Sequence, residues 1–327
     1  MTALKTKYAA VSQWMQKHHI RGIYLMIVLY VIVVALLNSS FLTVGNWVNL
    51  FRQVAVYGIV SCGITLIMLT GRTDLSAGMM LTFLANISCY YVTPAVQNQV
   101  LAIVLPLLIG LVGGLLNGIL VGVIRLNSFV STLGMMSLYT GAVLLFTKKN
   151  TSLTGDASMT FYKALGQGSV LGIPVPVIIL LVVAAICGIV LRKTVYGSHI
   201  YAVGSNMINA RFSGINATGI IVSVYTISGL LTGLASVVMC SRIMSAQPKM
   251  GAGYEFTALT AVVLGGLSIT GGKGNILGTL IGVLILGIID NSFVILGLDA
   301  NLQYIVKGAI LVIAVAIQIR SERRTGL

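Results

Sequence analysis

Apolar runs of about twenty residues, separated by short polar breaks, fill the chain from Arg21 to Arg320. A bilayer core takes about 20 apolar residues per helical crossing, so the pattern predicts membrane spans. Hydropathy windows predict ten of them. They are Gly22–Leu42, Val54–Thr70, Leu75–Thr93, Gln99–Ile124, Ser128–Thr147, Ile173–Leu191, Ala217–Ile243, Phe256–Thr270, Gly274–Leu296 and Asn301–Ile319. The eighth is short for a full crossing and is expected to tilt little or to lie shielded inside the bundle. Barrel strands would alternate polar and apolar residues, and these runs do not. The expected fold class is therefore all-α, a polytopic helical membrane bundle. Its transmembrane domain covers 22–319, between an N-terminal segment 1–21 and a tail 320–327. Tyr24–Leu37 reads as a retained span, because no small-residue cleavage pattern follows it.

The breaks differ in size. Most are turns of a few residues. Lys148–Gly172 is long and polar, and Arg192–Asn216 is long, with room for a short helix around Met207–Ser213. A loop of that length in a compact protein is usually functional or disordered, which makes Arg192–Asn216 a candidate docking surface.

Composition sharpens the picture. Hydrophobic residues make up 57% of the 327 and charged residues 8%, with a mean hydropathy of +1.02. Too few polar residues remain to cover a soluble surface, and no stretch could house a catalytic domain. The net charge of +14 is expected from basic loops facing anionic lipid rather than from a nucleic-acid partner. With the N-terminus in the cytoplasm, thirteen Lys and Arg fall inside and six (Arg52, Lys148, Lys149, Lys163, Arg242, Lys249) outside. That bias predicts two cytoplasmic termini. Trp14, Trp47, Tyr90 and Tyr91 fall near span ends, where interfacial aromatics belong.

Enzyme chemistry is hard to find. His18, His19 and His199 have no partner at ligand spacing. Cys62, Cys89, Cys187 and Cys240 all fall within spans without a C-x-x-C pair, and buried free thiols mostly act as small hydrophobes. Gly271-Gly272-Lys273-Gly274 is followed by Asn275 and preceded by no strand, a poor phosphate loop. Neither a metal nor a cofactor is called for. Asp290 and Lys307 are ionisable residues near membrane depth, and such residues tend to pair. A structural pair between the ninth and tenth spans is the preferred reading, ahead of a pathway role.

Glycine carries more. Gly110, Gly113, Gly114, Gly118 and Gly122 recur at three- and four-residue spacing in the fourth span, as close helix packing in lipid requires. Two turns, Thr70–Gly78 and Thr270–Gly278, both begin Thr-Gly and end in Gly at the same offset. They are expected at the same end of the bundle, either as a parallel repeat or by chance.

At these turns a resemblance appears. Leu69–Gly78 (LTGRTDLSAG) resembles the signature turn of the membrane permeases of bacterial ABC importers for ribose, galactose and related sugars. Ser245–Gly266 (SAQPKMGAGYEFTALTAVVLGG), Thr270–Leu286 (TGGKGNILGTLIGVLIL), Phe129–Met135 (FVSTLGM) and Asn301–Ala309 (NLQYIVKGA) are similar to the same family, in order and at its spacing. The signature positions are Gly71, Asp74, Ser76, Gly78, Gly271, Gly272, Gly274 and Gly278. Asp290-Asn291 stands where the family more often has an uncharged polar pair, and Arg72-Thr73 where Gly and Ile are common.

The resemblance implies about ten helices in an architecture like the vitamin B12-type (type II) importers. It implies a pathway between two copies of the chain, a cytoplasmic ATPase, and a periplasmic or lipid-anchored sugar-binding protein. It places the chain in the bacterial inner membrane. Thr194–Asn216 matches the family's coupling segment, and Gly204, Asn206, Ala210, Arg211, Gly214 and Ile215 fall on its docking positions. A neutral sugar needs weak hydrogen-bonding groups along its route. Candidates inside spans are Asn86, Asn117, Ser131, Thr132, Tyr139, Ser228 and Asn291, each able instead to bond a neighbouring helix. The rival readings are an ion-coupled secondary transporter and an ABC permease for a nucleoside or furanose-like signal.

Overall fold

The computed structural model describes residues 29–147, 153–156 and 158–324. The basic segment 1–21, the start of the first expected span, Lys148 and Lys149 lie outside the described residues. Helix α1 is seen over 29–37 and is followed by a 3-10 turn, Ser39–Leu42. Then come α2 (Val44–Leu69), α3 (Ala77–Tyr91), α4 (Gln99–Gly118, prolonged by a π-turn over Ile119–Val123) and α5 (Ser128–Phe146). An extramembrane stretch holds β1 (Leu153–Thr154), the short helix α6 (Thr160–Gln167) and the hairpin β2 (Ser169–Val170) and β3 (Ile173–Pro174). The rest is α7 (Val175–Lys193), α8 (Val195–Ser205), α9 (Met207–Phe212), α10 (Ala217–Ile243), β4 (Ser245–Ala246), α11 (Tyr254–Leu264), α12 (Ile276–Ile295) and α13 (Ala300–Arg324).

Among the described residues, six helices are long and apolar enough to cross a membrane: α2, α4 with its π-turn, α5, α7, α10 and α12. The chain is thus a polytopic helical membrane protein. Every expected window contains a helix, with boundaries shifted by side-chain capping. Thr43, Asn98, Asn127, Thr194, Asn216 and Asn275 each accept a hydrogen bond from a first-turn N–H, which satisfies orphan donors at the helix start.

Helices α2 and α10 form the buried centre. The glycine stripe explains how α10 lies against α4. A Cβ on Gly229 would overlap the Gly110 carbonyl and come within 2.7 Å of Gly114 Cα, and one on Gly233 would come within 2.5 Å of the Pro106 carbonyl oxygen. Gly118 and Gly122 continue the contact against Val222 and Thr218. Gly113 instead leaves room for Tyr139 and Met80. With lipid as solvent, this packing has to replace hydrophobic driving force. Gly229→Ala forces backbone apart on both sides, and overpacking of this kind costs about 1–3 kcal/mol. A lower melting temperature of the detergent-purified protein is the expected result, with Gly134→Ala, which meets nothing within 4 Å, as the neutral control.

Candidate functional site

Two helices begin inside the bundle. Tyr57 sits half-way along α2, and its ring lies 4.5 Å from that of Tyr254, the first residue of α11. Helix α11 therefore starts at mid-depth. The chain reaches it through a segment of consecutive turns, 244–253, that dips in from the far end of α10. There Gln247 O accepts from Asn86 Nδ2 at 3.2 Å, and Gly251 N–H donates to Thr82 Oγ1 at 3.0 Å. β4 pairs antiparallel with β1 and holds the segment at its entry. The short eighth window is thus a half-helix, and the resulting break is covered by protein, as backbone in lipid requires.

Helix α3 mirrors this from the other end. After Leu69 the chain climbs back into the bundle. Thr73 O accepts from the Tyr225 hydroxyl at 2.7 Å, two turns into α10, and Leu75 N–H donates to Thr132 Oγ1 at 3.1 Å. Asp74 accepts from both the backbone N–H and the hydroxyl of Ser76, and Asn117 Nδ2 donates to Ser76 Oγ at 2.8 Å. The N-termini of α3 and α11 then meet. A Cβ on Gly78 would overlap the Glu255 carboxylate and come within 2.7 Å of Gly251 O. Glu255 is 1% exposed, and its carboxyl group faces the N-terminal end of α3. The units α2–α3 and α10–α11 run in opposite directions: a long helix, a crossing segment and a half-helix. The structure relates these two units as an inverted pair, while the two Thr-Gly turns meet at one end of the bundle.

Beside this junction lies a cavity of about 550 Å³, within the roughly 300–1,000 Å³ of small-molecule sites. Its walls come from α2, α10, the crossing segment, α11 and α13, and include Tyr57, Arg242, Gln247, Tyr254, Thr257, Gln303 and Lys307. Arg242 also lines a second, polar cavity of about 430 Å³ with Asn46, Arg52, Gln53, Gln167 and Asn291. Lys307 Nζ lies 2.8 Å from Asp290 Oδ2, joining α12 to α13, so the expected pair is present.

Of the pathway candidates, Asn291 lines the second cavity, where it exchanges hydrogen bonds with Asn46 at 2.8 and 2.9 Å. Asn86, Asn117 and Thr132 tie the crossing segments to their neighbours, as above. Ser131 Oγ donates to Asn127 O. Tyr139 and Ser228 are buried against Gly113 and Gly63, with hydroxyls that have no hydrogen-bond partner among the described residues. The larger cavity, Glu255 and the half-helices escaped the sequence reading. The short eighth window was their one visible trace.

The two signature turns and the segment Thr194–Asn216 converge at the opposite end of α2. Gly71, Gly271 and Gly272 all have positive φ (73°, 91° and 72°), open to glycine at no steric cost. A Cβ on Gly271 would lie 2.5 Å from Gly71 N, and one on Gly272 would overlap the Ser205 side chain at the end of α8. Gly272 N–H donates to Leu69 O at 2.9 Å. A Cβ on Gly204 would overlap that same carbonyl oxygen and lie 2.6 Å from Gly272 N. Tyr201 Oη donates to Gly274 O at 2.8 Å, and Gly278 packs back-to-back on Gly265. Three backbone segments thus share one contact, with α8 in the middle.

From there the segment turns outward. Asn206 caps α9, its Oδ1 accepting from Ile208 and Asn209 N–H. Ala210 is buried, Gly214 turns the chain at φ 80°, and Ile215 N–H donates to Ala210 O at 3.0 Å. Arg211, Ile208 and Phe212 are exposed, Phe212 by 87%.

A family described as "Branched-chain amino acid transport system / permease component" matches residues 46–315. A ribose import permease of Bacillus subtilis is 42% identical over 90% of this chain and 91% of its own length. An L-arabinose ABC transporter permease of Azospirillum brasilense is 34% identical over 94% and 89%. A fructose import permease of Rhizobium meliloti is 32% identical over 86% and 80%. No solved structure matches.

Proposed function

This chain belongs to the family of permease components of branched-chain amino acid transport systems, and from that premise we propose that it is the permease subunit of an ATP-driven importer for a monosaccharide. The observation that carries the reading is the cavity beside the mid-depth start of the half-helix α11, in a chain similar to permeases for ribose, L-arabinose and fructose. ATP is hydrolysed by a separate cytoplasmic ATPase, and a periplasmic or lipid-anchored binding protein delivers the sugar. Two copies of the chain form the pathway, each with ten spans in a vitamin B12-type arrangement. The membrane domain covers 22–319, and the segments 1–21 and 320–327 lie in the cytoplasm of a bacterial cell. Asn86, Asn117, Ser131, Thr132, Tyr139, Ser228 and Asn291 are the polar groups along or beside the route.

Transport follows as alternating access. The ATPase docks on α8–α9, through Gly204, Asn206, Ala210, Arg211, Gly214 and Ile215. Its closure moves α8. The shared contact at Gly204, Leu69 and Gly272 passes that motion to α2 and to the turn before α12. The crossing segments and half-helices interrupt the continuous helix ladders of the bundle, so they are the elements that rearrange.

The test is uptake of labelled D-ribose, L-arabinose and D-fructose into vesicles holding the permease with its ATPase and binding protein. Uptake is expected to need ATP on the ATPase side and no ion gradient. Uptake that follows a proton or sodium gradient without ATP would show a secondary transporter. Cysteine labelling at Leu171, which is 98% exposed, from outside and at Gly326 only from inside is the expected topology. Reversal of the two would remove the cytoplasmic docking site.

A further inference from the structure

Lys307 is held from three sides at the wall of the larger cavity. Its Nζ is 2.8 Å from Asp290 Oδ2 on α12 and 3.4 Å from the Thr257 hydroxyl on α11, and it lies 5.8 Å from the centre of the Tyr57 ring on α2. Asp290 is 2% exposed and sits behind the wall, whereas the Lys307 side chain is 15% exposed and lines the cavity. An ammonium has three donors. Asp290 and Thr257 engage two, and the third has no hydrogen-bond acceptor among the described residues.

Packing does not demand this arrangement. A buried ion pair replaced by apolar residues of similar size often costs no stability, and ionisable groups at membrane depth are mostly functional. The surroundings fit a polyhydroxylated neutral ligand. The tilted Tyr57 and Tyr254 rings offer an apolar face for C–H groups, and Gln303 and Thr260 line the same cavity with hydrogen-bonding side chains. Among the described residues no carboxylate lines the cavity to neutralise a cationic solute, and Arg242 and Lys249 line it beside Lys307.

We infer that Lys307 donates its third N–H to one hydroxyl oxygen of the passing monosaccharide, and that Asp290 is the positioning residue that holds the ammonium aimed at it. The inference rests on the cavity being the sugar passage. It goes further by naming the recognising group and the single hydroxyl class it reads.

The experiment uses the complete transporter in vesicles, with whichever of D-ribose, L-arabinose and D-fructose the wild type takes up, and with each monodeoxy analogue of that sugar at a concentration that saturates the binding protein. Lys307→Met is expected to slow uptake of the parent sugar about tenfold or more, as loss of a charged hydrogen bond does, while ATPase association stays at the wild-type level. Asp290→Asn is expected to act in the same direction with a smaller loss. The penalty of Lys307→Met should vanish for the one analogue that lacks the recognised hydroxyl. A merely structural Lys307 could not produce that pattern. Equal slowing on every analogue, or wild-type uptake by Lys307→Met, overturns the inference. Where Lys307→Met reaches the membrane in low amount, the paired change Asp290→Asn with Lys307→Met removes both charges and the donor at position 307, leaves no unpaired buried carboxylate, and carries the same analogue comparison. A wild-type assembly that moves none of the three sugars overturns the sugar reading itself, so the two failures are distinct.

Discussion

Gly204→Ala is expected to stop ATP-driven uptake almost completely. The added methyl would overlap Leu69 O and crowd Gly272 N at 2.6 Å. Both neighbours are backbone, so no side-chain rotation relieves the clash. Helix α8 must back away, and the Gly272 N–H bond to Leu69 O at 2.9 Å must lengthen or break. Overpacking costs about 1–3 kcal/mol, and here that cost falls on the contact through which α8 reaches α2 and the turn before α12. Uptake in reconstituted vesicles should fall more than about tenfold, with ATP hydrolysis no longer stimulated by sugar. The melting temperature should drop by a few degrees. A Gly204→Ala protein that melts lower but transports at the wild-type rate would remove this contact from the transmission path.

Phe212→Asp is expected to release the ATPase while the bundle stays folded. Phe212 is 87% exposed at the end of α9, and Ile208 on the same short helix is 66% exposed. Large apolar side chains at the tip of a polar loop lend the folded chain no burial. They are suited to a partner's pocket, where truncating an aromatic anchor typically costs about 2 kcal/mol or more, roughly 30-fold in affinity. Arg211→Glu, a charge reversal beside them, should also weaken binding through like-charge contact, but by less than the loss of the anchor. Membrane abundance is expected to be normal in both. Co-purification with the ATPase provides the readout, and unchanged co-purification in both variants would place the docking surface elsewhere.

Much of the helical framework was legible because lipid imposes a simple rule. A span must be apolar for about twenty residues and satisfy its own backbone, so windows such as Ala217–Ile243 coincide with the observed helix. The Gly110–Gly122 spacing announced a close helix contact before any partner was visible, since small residues matter there only through packing. Capping residues such as Asn275 and Asn216 fix the helix starts in the structure, because their side chains act within the same turn. Hydropathy alone misplaced the start of α2. Its first turns, with Asn46, Asn49, Arg52 and Gln53, look polar, yet they are helical and line the second cavity.

The site was legible only in part. Gly71, Gly204 and Gly272 stood out as motif residues, but their meeting depends on three segments far apart in the chain. Asp290 and Lys307 could be suspected as a pair, whereas the presence of Lys307 at a cavity wall depends on how α13 lies against α11. Glu255 looked like one acid in an apolar run. Its place opposite Gly78 follows from two breaks in the helices, and hydropathy windows average across such breaks.

The sequence by itself determined the solvent, the helical class and the glycine faces, because each is a local property of composition or of spacing along one helix. The tertiary structure alone decided that α3 and α11 begin at mid-depth with their N-termini opposed, that one glycine contact joins α8 to two turns, and that a polar cavity opens beside Lys307. Those features arise where segments distant in sequence meet, and the energies that bring them together are backbone close contacts and buried hydrogen bonds between non-neighbours, which leave no periodic signal in the chain.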